Sequence, residues 1–126
     1  MSPKQTYRSL IIEDEICSKA LLIKSLLKLT DAKFYQAETT SEAIDIINNG
    51  QVHVIFLDRY LKNGEDSIIL FNYLAQKGDT TPVIVTSADN SPEKVREAYL
   101  LGATEFIGKP FNLNSIKKPL EKLLKI

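Results

Sequence analysis

The chain has 126 residues, enough for one domain with a single sizeable core. Apolar residues make up 44% of it, and 16 basic side chains balance 16 acidic ones. This composition excludes a disordered chain and any overall field that would attract nucleic acid. The single cysteine excludes an internal disulfide, no apolar stretch approaches the roughly 18–20 residues that span a bilayer, and the N-terminus lacks a signal-peptide core. We therefore expect one domain over residues 1–126, with its core at about 8–125, in the cytoplasm and without membrane insertion.

Short apolar runs alternate with helical periodicities along the whole chain. The predicted strands are residues 9–12, 33–37, 52–58, 83–86 and 105–107. The predicted helices are residues 16–30, 40–49, 68–76, 92–101 and 113–125. This alternation predicts an α/β fold, a doubly wound five-stranded parallel sheet with five helices.

Local signals mark the starts of three helices. Thr39 has an acid three residues later, the pattern of a capping box, and Ser91 precedes a proline at the first helical position. The third helix is expected to be capped by Asp66 or Ser67. The residues expected to face the core are Ile16, Ala20, Ile23 and Leu27 in the first helix, Ala43, Ile46 and Ile47 in the second, Val95, Ala98 and Leu101 in the fourth, and Leu113, Ile116, Leu120, Leu123 and Leu124 in the fifth.

The run at residues 52–58, Val-His-Val-Ile-Phe-Leu-Asp, is apolar on both faces and ends at the carboxylate of Asp58. Such a run is typical of a strand in the middle of a parallel sheet. Because the carboxyl ends of parallel strands meet at one edge, several polar groups are expected beside it. They are Glu13, Asp14, Thr86 or Ser87, and Lys109.

Carboxylates gathered in this way repel one another, by roughly 4 kcal/mol for a pair about 4 Å apart at an effective dielectric constant of about 20. A hard divalent cation such as Mg²⁺ would offset that repulsion. A metal-held carboxylate beside a lysine and a hydroxyl is suited to accept a phosphoryl group. Each residue taken singly is also explained as a solvated loop residue, but four residue types converging on one edge favour a site.

The sequence resembles the receiver domain of bacterial two-component response regulators, in particular the single-domain, chemotaxis-regulator-like members. The resemblance covers about residues 8–125 and implies a flavodoxin-like fold of the receiver type. The steps of 44 residues from Asp14 to Asp58 and 22 residues from Ser87 to Lys109 suit that family. The motifs that carry the resemblance are Glu13-Asp14 after Leu-Ile-Ile, Asp58 after Ile-Phe-Leu, Ser87-Ala88 after Pro-Val-Ile-Val-Thr, and Lys109-Pro110-Phe111.

The resemblance implies a phosphoacceptor and a metal site. Asp58 corresponds to the phosphoacceptor, and Lys109 to the partner of the phosphoryl group and the carboxylate. Asp14, Asp58, Glu13 through water, and the backbone carbonyl of Tyr60 correspond to ligands of Mg²⁺, with Mn²⁺ as an alternative ion.

The resemblance also implies a switch and a gate for water. Ser87 corresponds to the switch hydroxyl and Phe106 to the aromatic side chain that moves with it, and the bond before Pro110 is expected to be cis. Thr86 is a second candidate hydroxyl, but neighbouring strand residues point to opposite faces, so only one can face the site, and the spacing favours Ser87. Tyr60 and Asp89 correspond to the two side chains that tune dephosphorylation.

The function implied is a phosphorylation-activated signalling switch. Its expected partners are a sensor histidine kinase or histidine phosphotransfer protein and a downstream protein target, with no direct nucleic-acid contact. Phosphorylation is expected to change the surface of the fourth helix, fifth strand and fifth helix, for partner binding or onward phosphotransfer. We expect no enzymatic activity beyond its own phosphorylation and dephosphorylation, and no output domain after the fifth helix. The output would then pass to a partner, to another domain if the chain is part of a longer protein, or onward by phosphotransfer.

Departures from the family pattern are confined to the loop after Asp58. Arg59 is charged where an apolar residue is usual, Lys62 stands in place of proline, and Asp66 replaces a common glycine. Two other residues are expected to be structural: His53, away from the crevice, and Cys17, as a small packing residue.

Three other readings of the sequence are disfavoured. A haloacid-dehalogenase-type hydrolase needs a second acid two residues after its nucleophile, where Tyr60 stands. A flavodoxin-like FMN binder needs a phosphate loop after the first strand, where residues 13–15 are all acidic. A degenerate receiver acting only as a binding module would have lost an acid or the lysine, and none is lost.

Overall fold

A computed structural model of the protein describes residues 6–29, 31–61, 64 and 66–124. The elements in this part of the chain are β1 Thr6–Ile12, α1 Ile16–Leu29, β2 Asp31–Ala37, α2 Thr40–Asn49, β3 Val54–Asp58, α3 Ile68–Lys77, β4 Val83–Ser87, α4 Pro92–Leu101, β5 Glu105–Gly108 and α5 Leu113–Leu124. The predictions that fall on Thr30, Lys62 and Lys125 lie outside the described residues. None of the described helices is long and apolar enough to cross a bilayer.

The five strands form one parallel sheet in the order β2-β1-β3-β4-β5. The predicted α/β architecture, with five helices around a parallel sheet, is therefore confirmed. The order reverses direction beside β1 and β3, and a crevice for ligands forms beyond the carboxyl ends of strands at such a switch point.

The two faces of the sheet are covered by two apolar layers. Ile55 and Leu57 of β3 belong to the layer that includes residues of α2, α3 and α4, and Val54 and Phe56 to the layer that includes residues of α1 and α5. All five residues of β3 are buried, as the unbroken apolar run predicts. Each large apolar side chain buried in this way contributes roughly 1.5–3 kcal/mol, so β3 is held firmly and its last residue has a fixed position.

The central strand begins at Val54, two residues later than the sequence predicts. The side chain of His53 explains the difference, because its Nδ1 accepts the backbone N–H of Arg8 at 2.9 Å. That N–H, on β1, is therefore satisfied by a side chain in place of a backbone carbonyl of β3. His53 is half-buried at the amino end of the strand, away from Asp58, which confirms its structural placement.

The predicted inward face of α1 is wrong for Ile16, Ala20 and Leu27 and confirmed for Ile23, which packs against the core. Ile16 is 75% exposed and Leu27 is 58% exposed, whereas Leu22, Ser25 and Leu26 are buried. The segment is apolar around most of its circumference, so several stripes satisfy helical spacing equally well. Only the packing of α1 against the sheet selects one of them.

The predicted helix starts are confirmed at two places and refined at a third. The Thr39 hydroxyl accepts the N–H of Glu42, and the Ser91 hydroxyl accepts the N–H of Lys94. At α3 the N-cap residue Ser67 makes no side-chain cap bond, and the carboxylate of Asp66 accepts the N–H of the first helical residue at 3.0 Å. Asp66 thus caps α3 with its side chain, whereas Ser67 occupies the N-cap position.

Candidate functional site

Polar side chains from four strand ends converge at one edge of the sheet. Glu13 and Asp14 follow β1, Asp58 ends β3, Ser87 ends β4 and Lys109 follows β5. Of these, Asp14, Asp58, Ser87 and Lys109 line a cavity of about 640 Å³ that opens to solvent beside the first turn of α1. Its lining residues are Asp14, Glu15, Cys17, Ser18, Leu21, Asp58, Tyr60, Ser87, Ala88, Asp89, Lys109, Pro110 and Phe111.

Three carboxylates form the acidic cluster of this cavity: Glu13, Asp14 and Asp58. One oxygen from each lies within 4.8 Å of the others. Asp58 is 7% exposed and Glu13 is 1% exposed, so bulk water solvates neither carboxylate well. Lys109 Nζ lies 2.5 Å from Glu13 Oε1 and 3.3 Å from Asp58 Oδ2, bridging two of the acids.

The electrostatics of the cluster favour a proton on Asp58. Burial raises the pKa of Asp58 to about 7, and the nearby Glu13 carboxylate contributes to this rise against the opposing effect of Lys109. For Lys109, burial alone would lower the pKa, but the contacts with Glu13 and Asp58 outweigh it and raise the pKa. Lys109 is thus shared by two buried carboxylates, and its single positive charge balances only one of them, which favours a proton on Asp58.

The donor set fits a hard divalent cation. Mg²⁺ takes oxygen ligands and usually retains several waters, and the cluster offers carboxylate oxygens on the wall of an open cavity. Asp14 and Asp58 line the cavity, whereas Glu13 is 1% exposed and is not among the lining residues. Asp14 and Asp58 are therefore the better placed direct ligands, and Glu13 the better placed to act through water.

Glu15, the third acid of the sequence run, caps α1. Its carboxylate accepts the N–H groups of Cys17 at 3.0 Å and Ser18 at 2.6 Å. The hydrogen bonds from Ser18 lower the pKa of Glu15 to about 2, so it stays ionised at the helix N-terminus. Its charge is used to start the helix.

The structure places the two candidate hydroxyls of β4 differently. Ser87 lines the cavity, and its Oγ accepts the N–H of Asp89 at 3.2 Å. Thr86 is buried, is not among the cavity-lining residues, and its hydroxyl has no hydrogen-bond partner within the described residues. Phe106, in β5, is half-buried and packs against the layer that contains α3 and α4 residues. The Lys109–Pro110 bond is cis.

Tyr60 and Asp89 both line the cavity beside Asp58. The backbone N–H of Tyr60 donates to Asp58 Oδ1 at 3.3 Å, and its side chain is 43% exposed at the rim. The Asp89 carboxylate accepts the N–H of Ser91 at 3.3 Å, so it is engaged in the turn that leads into α4.

Arg59 and Asp66, two separate departures from the family pattern in the sequence, form an ion pair in the structure. The guanidinium of Arg59 is buried and forms ion pairs with Asp66 and, at 2.7 Å, with Glu97 of α4. Glu97 was not among the candidates at all. The signal that was available is a charged residue directly after a buried strand, because such a charge needs a nearby partner.

Cys17 does not pack in the core, so the prediction for it is wrong. It is exposed on the first turn of α1 and lines the cavity. Among the described residues it belongs to neither apolar layer, because its side chain lies beside the cavity.

Comparison with known proteins places this arrangement in one family. A family model described as the response regulator receiver domain matches residues 10–121. The sensory transduction protein LytR of Streptococcus agalactiae is 31% identical over 121 residues, which cover 93% of this chain and 48% of that protein. The chain thus spans about half the length of that relative. Sporulation initiation phosphotransferase F of Bacillus subtilis is 24% identical over 115 residues, 91% of each chain.

Solved structures agree with the fold. The receiver domain of the Francisella response regulator 1452 is 26% identical with a TM-score of 0.79, and the match covers 94% of this chain and 97% of that one. The chemotaxis response regulator CheY4 of Vibrio cholerae is 21% identical with a TM-score of 0.83, over 94% of this chain and 99% of that one. The second likeness supports the fold alone.

Proposed function

Because the chain belongs to the response regulator receiver domain family, we propose that it is a signalling switch that Asp58 phosphorylation turns on. The observation that carries the proposal is the position of Asp58: it ends the central buried strand, faces an open cavity and contacts Lys109 at 3.3 Å. A carboxylate so held cannot move away from an incoming phosphoryl group. The fixed geometry lowers the entropic cost of the transfer.

The proposed reaction is transfer of a phosphoryl group from a phosphohistidine. An Asp58 carboxylate oxygen bonds to phosphorus as the bond from phosphorus to the imidazole nitrogen breaks, and the electron pair stays on the imidazole, which takes up a proton. Lys109 offsets the negative charge on the transferring oxygens. Asp14 and Asp58 would hold Mg²⁺, or Mn²⁺, directly, with Glu13 acting through water and the Tyr60 carbonyl as a further ligand, and the ion would supply further charge neutralisation.

The proposed output begins at Ser87. Its hydroxyl accepts only the N–H of Asp89 at 3.2 Å among the described contacts, so it is able to turn and donate to a phosphoryl oxygen. Half-buried Phe106 lies on the neighbouring strand, and its ring carries no hydroxyl that would need a partner inside. Movement of the two changes the surface of α4, β5 and α5, where Tyr99 and Leu100 are already exposed apolar side chains. A downstream protein target would read that surface.

A histidine kinase or a histidine phosphotransfer protein is the proposed donor, and onward phosphotransfer is a second candidate output. Onward phosphotransfer is favoured by the near full-length likeness to a sporulation phosphotransferase and by the cavity opening beside the first turn of α1. Ile16, on that turn, is 75% exposed and available to a docking protein.

Ile16→Asp is expected to slow transfer from a phosphohistidine protein and leave labelling by acetyl phosphate unchanged. Leu27→Asp, 58% exposed at the far end of the same helix, is the matched control.

Phosphoryl incorporation tests the proposed function. Intact-protein mass is measured after incubation with acetyl phosphate and Mg²⁺, and the wild type is expected to gain one phosphoryl group. Asp58→Asn is expected to gain none, while Asp89→Asn, which removes another acid of the same cavity, is expected to be labelled. Equal labelling of the Asp58 variant and the wild type would overturn the assignment.

A further inference from the structure

Tyr60 is fixed at the rim of the Asp58 cavity by two cations. The carbon of the Arg59 guanidinium lies 4.8 Å from the centre of the Tyr60 ring, and Lys94 Nζ lies 5.8 Å from it. Lys94 Nζ also lies 3.3 Å from the Tyr60 hydroxyl. The aromatic face attracts the Arg59 guanidinium, and Lys94 donates a hydrogen bond to the Tyr60 hydroxyl, so the ring has a preferred position.

The two cations are tied to different elements by shared acids. Arg59 follows β3 and pairs with Asp66, which caps α3, and with Glu97 of α4. Lys94, one turn before Glu97 on α4, reaches the same carboxylate at 3.5 Å. The hydrogen bond to Tyr60 raises the pKa of Lys94, so its ammonium is charged. Four charges of alternating sign therefore connect the loop after Asp58 to α4.

We propose that Lys94 is a positioning residue that holds the Tyr60 ring over the mouth of the Asp58 cavity, and that the lifetime of the phosphoryl group therefore depends on where α4 lies. The proposal rests on the proposed function, since it concerns the phosphoryl group on Asp58. It adds a residue of α4 that does not line the cavity and that acts only through Tyr60.

The reaction that Tyr60 would retard is hydrolysis of the acyl phosphate. A water oxygen bonds to phosphorus opposite the Asp58 oxygen as the bond from phosphorus to that oxygen breaks. The electron pair returns to the Asp58 carboxylate, one water proton stays on the phosphate and the other passes to solvent. The ring of Tyr60, at the rim of the cavity, obstructs the water as long as it is held in place.

The link works in both directions. A displacement of α4 that draws Lys94 away from Tyr60 frees the ring and shortens the lifetime. A partner that binds α4 in its present position shifts the equilibrium toward that position, keeps Lys94 beside Tyr60 and so lengthens the lifetime. The signal is therefore expected to persist longest while a partner that favours this position of α4 is bound.

Decay of the phosphoryl group after removal of the donor tests the proposal. Lys94→Met is expected to shorten the lifetime by about two- to fivefold, a change in the range that loss of one hydrogen bond typically produces. Lys94→Arg, which keeps a cationic hydrogen-bond donor at this position, is expected to retain most of the wild-type lifetime. In a Tyr60→Ala background, where no ring remains, Lys94→Met is expected to cause no further change.

A matched control exists on α3. Lys77 Nζ lies 5.9 Å from the centre of the Tyr73 ring, a contact of the same kind far from the cavity, so Lys77→Met is expected to leave the lifetime unchanged. In fluorotyrosine-labelled protein, the ¹⁹F resonance of Tyr60, assigned by its loss in Tyr60→Phe, is expected to shift in Lys94→Met and stay in place in Lys77→Met.

The failures of the two proposals are distinguishable. If intact mass shows no phosphoryl group on the wild type, the proposed function and this inference both fail. If the wild type is loaded normally and Lys94→Met decays at the same rate, the inference alone fails. It fails equally if Lys94→Met shortens the lifetime as much in the Tyr60→Ala background as in the wild type.

Discussion

Replacing Asp58 by asparagine is expected to stabilise the metal-free protein increasingly as the pH rises from about 4 to about 7, with the full gain above about pH 7. In the folded protein burial and Glu13 raise the pKa of Asp58 from 3.8 to about 7, so the folded state holds a proton that the unfolded chain has released. Stability falls with rising pH wherever the folded state binds more protons. The free energy of unfolding is therefore expected to decline between about pH 4 and pH 7, and the Asp58→Asn substitution removes that decline.

The magnitude follows from the pKa change. A change of about three units corresponds to about 4 kcal/mol at 1.36 kcal/mol per unit. The cavity is open to solvent, and screening reduces the value, so we expect a gain of about 2 kcal/mol at about pH 8. For a chain of 126 residues this is about 7 °C in the melting temperature.

Urea unfolding in the presence of a chelator measures the free energy of unfolding at about pH 4, where the folded protein has Asp58 protonated, and at about pH 8, where Asp58 is ionised. Asp89→Asn serves as the control because it removes an exposed acid from the same cavity wall, where water already solvates the charge. A gain for Asp58→Asn that is the same at both pH values, or absent at about pH 8, would refute the electrostatic account of the cluster. Mg²⁺ is expected to reduce the difference in the free energy of unfolding between Asp58→Asn and the wild type, because only the wild type has the full set of carboxylates that bind the ion.

Three further predictions concern the same cavity. Asp14→Asn is expected to raise the free energy of unfolding without metal by about 1 kcal/mol while weakening Mg²⁺ binding; a variant that melts lower and responds to Mg²⁺ like the wild type would show that the acids do not act together. The phosphoryl group is expected to decay faster in Tyr60→Asn and in Asp89→Glu, and fastest in the double variant, because the ring is removed and a longer carboxylate reaches the water; unchanged or longer lifetimes in all of them would contradict this. Activation by beryllofluoride is expected to shift NMR resonances mainly between residues 87 and 118, and shifts confined to α1 and α2 would exclude the proposed route through Ser87.

The sheet and the convergence of polar groups at its edge could be predicted because they depend on local properties of the sequence. The run that became β3 is apolar on both faces and stops at Asp58, and parallel strands place such ends together whatever the details of packing. Glu13, Asp14 and Lys109 lie beside Asp58 for the same reason. The order of the strands adds to this only that β3 is central.

Features that depend on which surfaces meet could not be predicted in this way. The apolar stripes of α1 are similar in strength, and the helix buries the one that carries Leu22 and Leu26, not the one that carries Ile16. Hydrophobic spacing alone does not determine which stripe is buried. That choice depends on how the helix packs against the sheet.

The ion pairs of Arg59 are unpredictable for a related reason. Glu97 lies 38 residues along the chain from Arg59, and the two meet only because α4 packs beside the loop that follows β3. The sequence shows an unusual charge after a buried strand, but the partner of that charge emerges from the tertiary structure.

The position of the phosphoryl group is the most direct test of the central claim. Borohydride reduces an aspartyl phosphate to homoserine, so peptide mass spectrometry of protein treated with acetyl phosphate, Mg²⁺ and then borohydride identifies the residue that carried it. We predict conversion at Asp58, dependent on Mg²⁺ and lost in Asp58→Asn. Conversion at Asp14, Glu13 or Asp89 in the wild type, with Asp58 unchanged, would contradict the account.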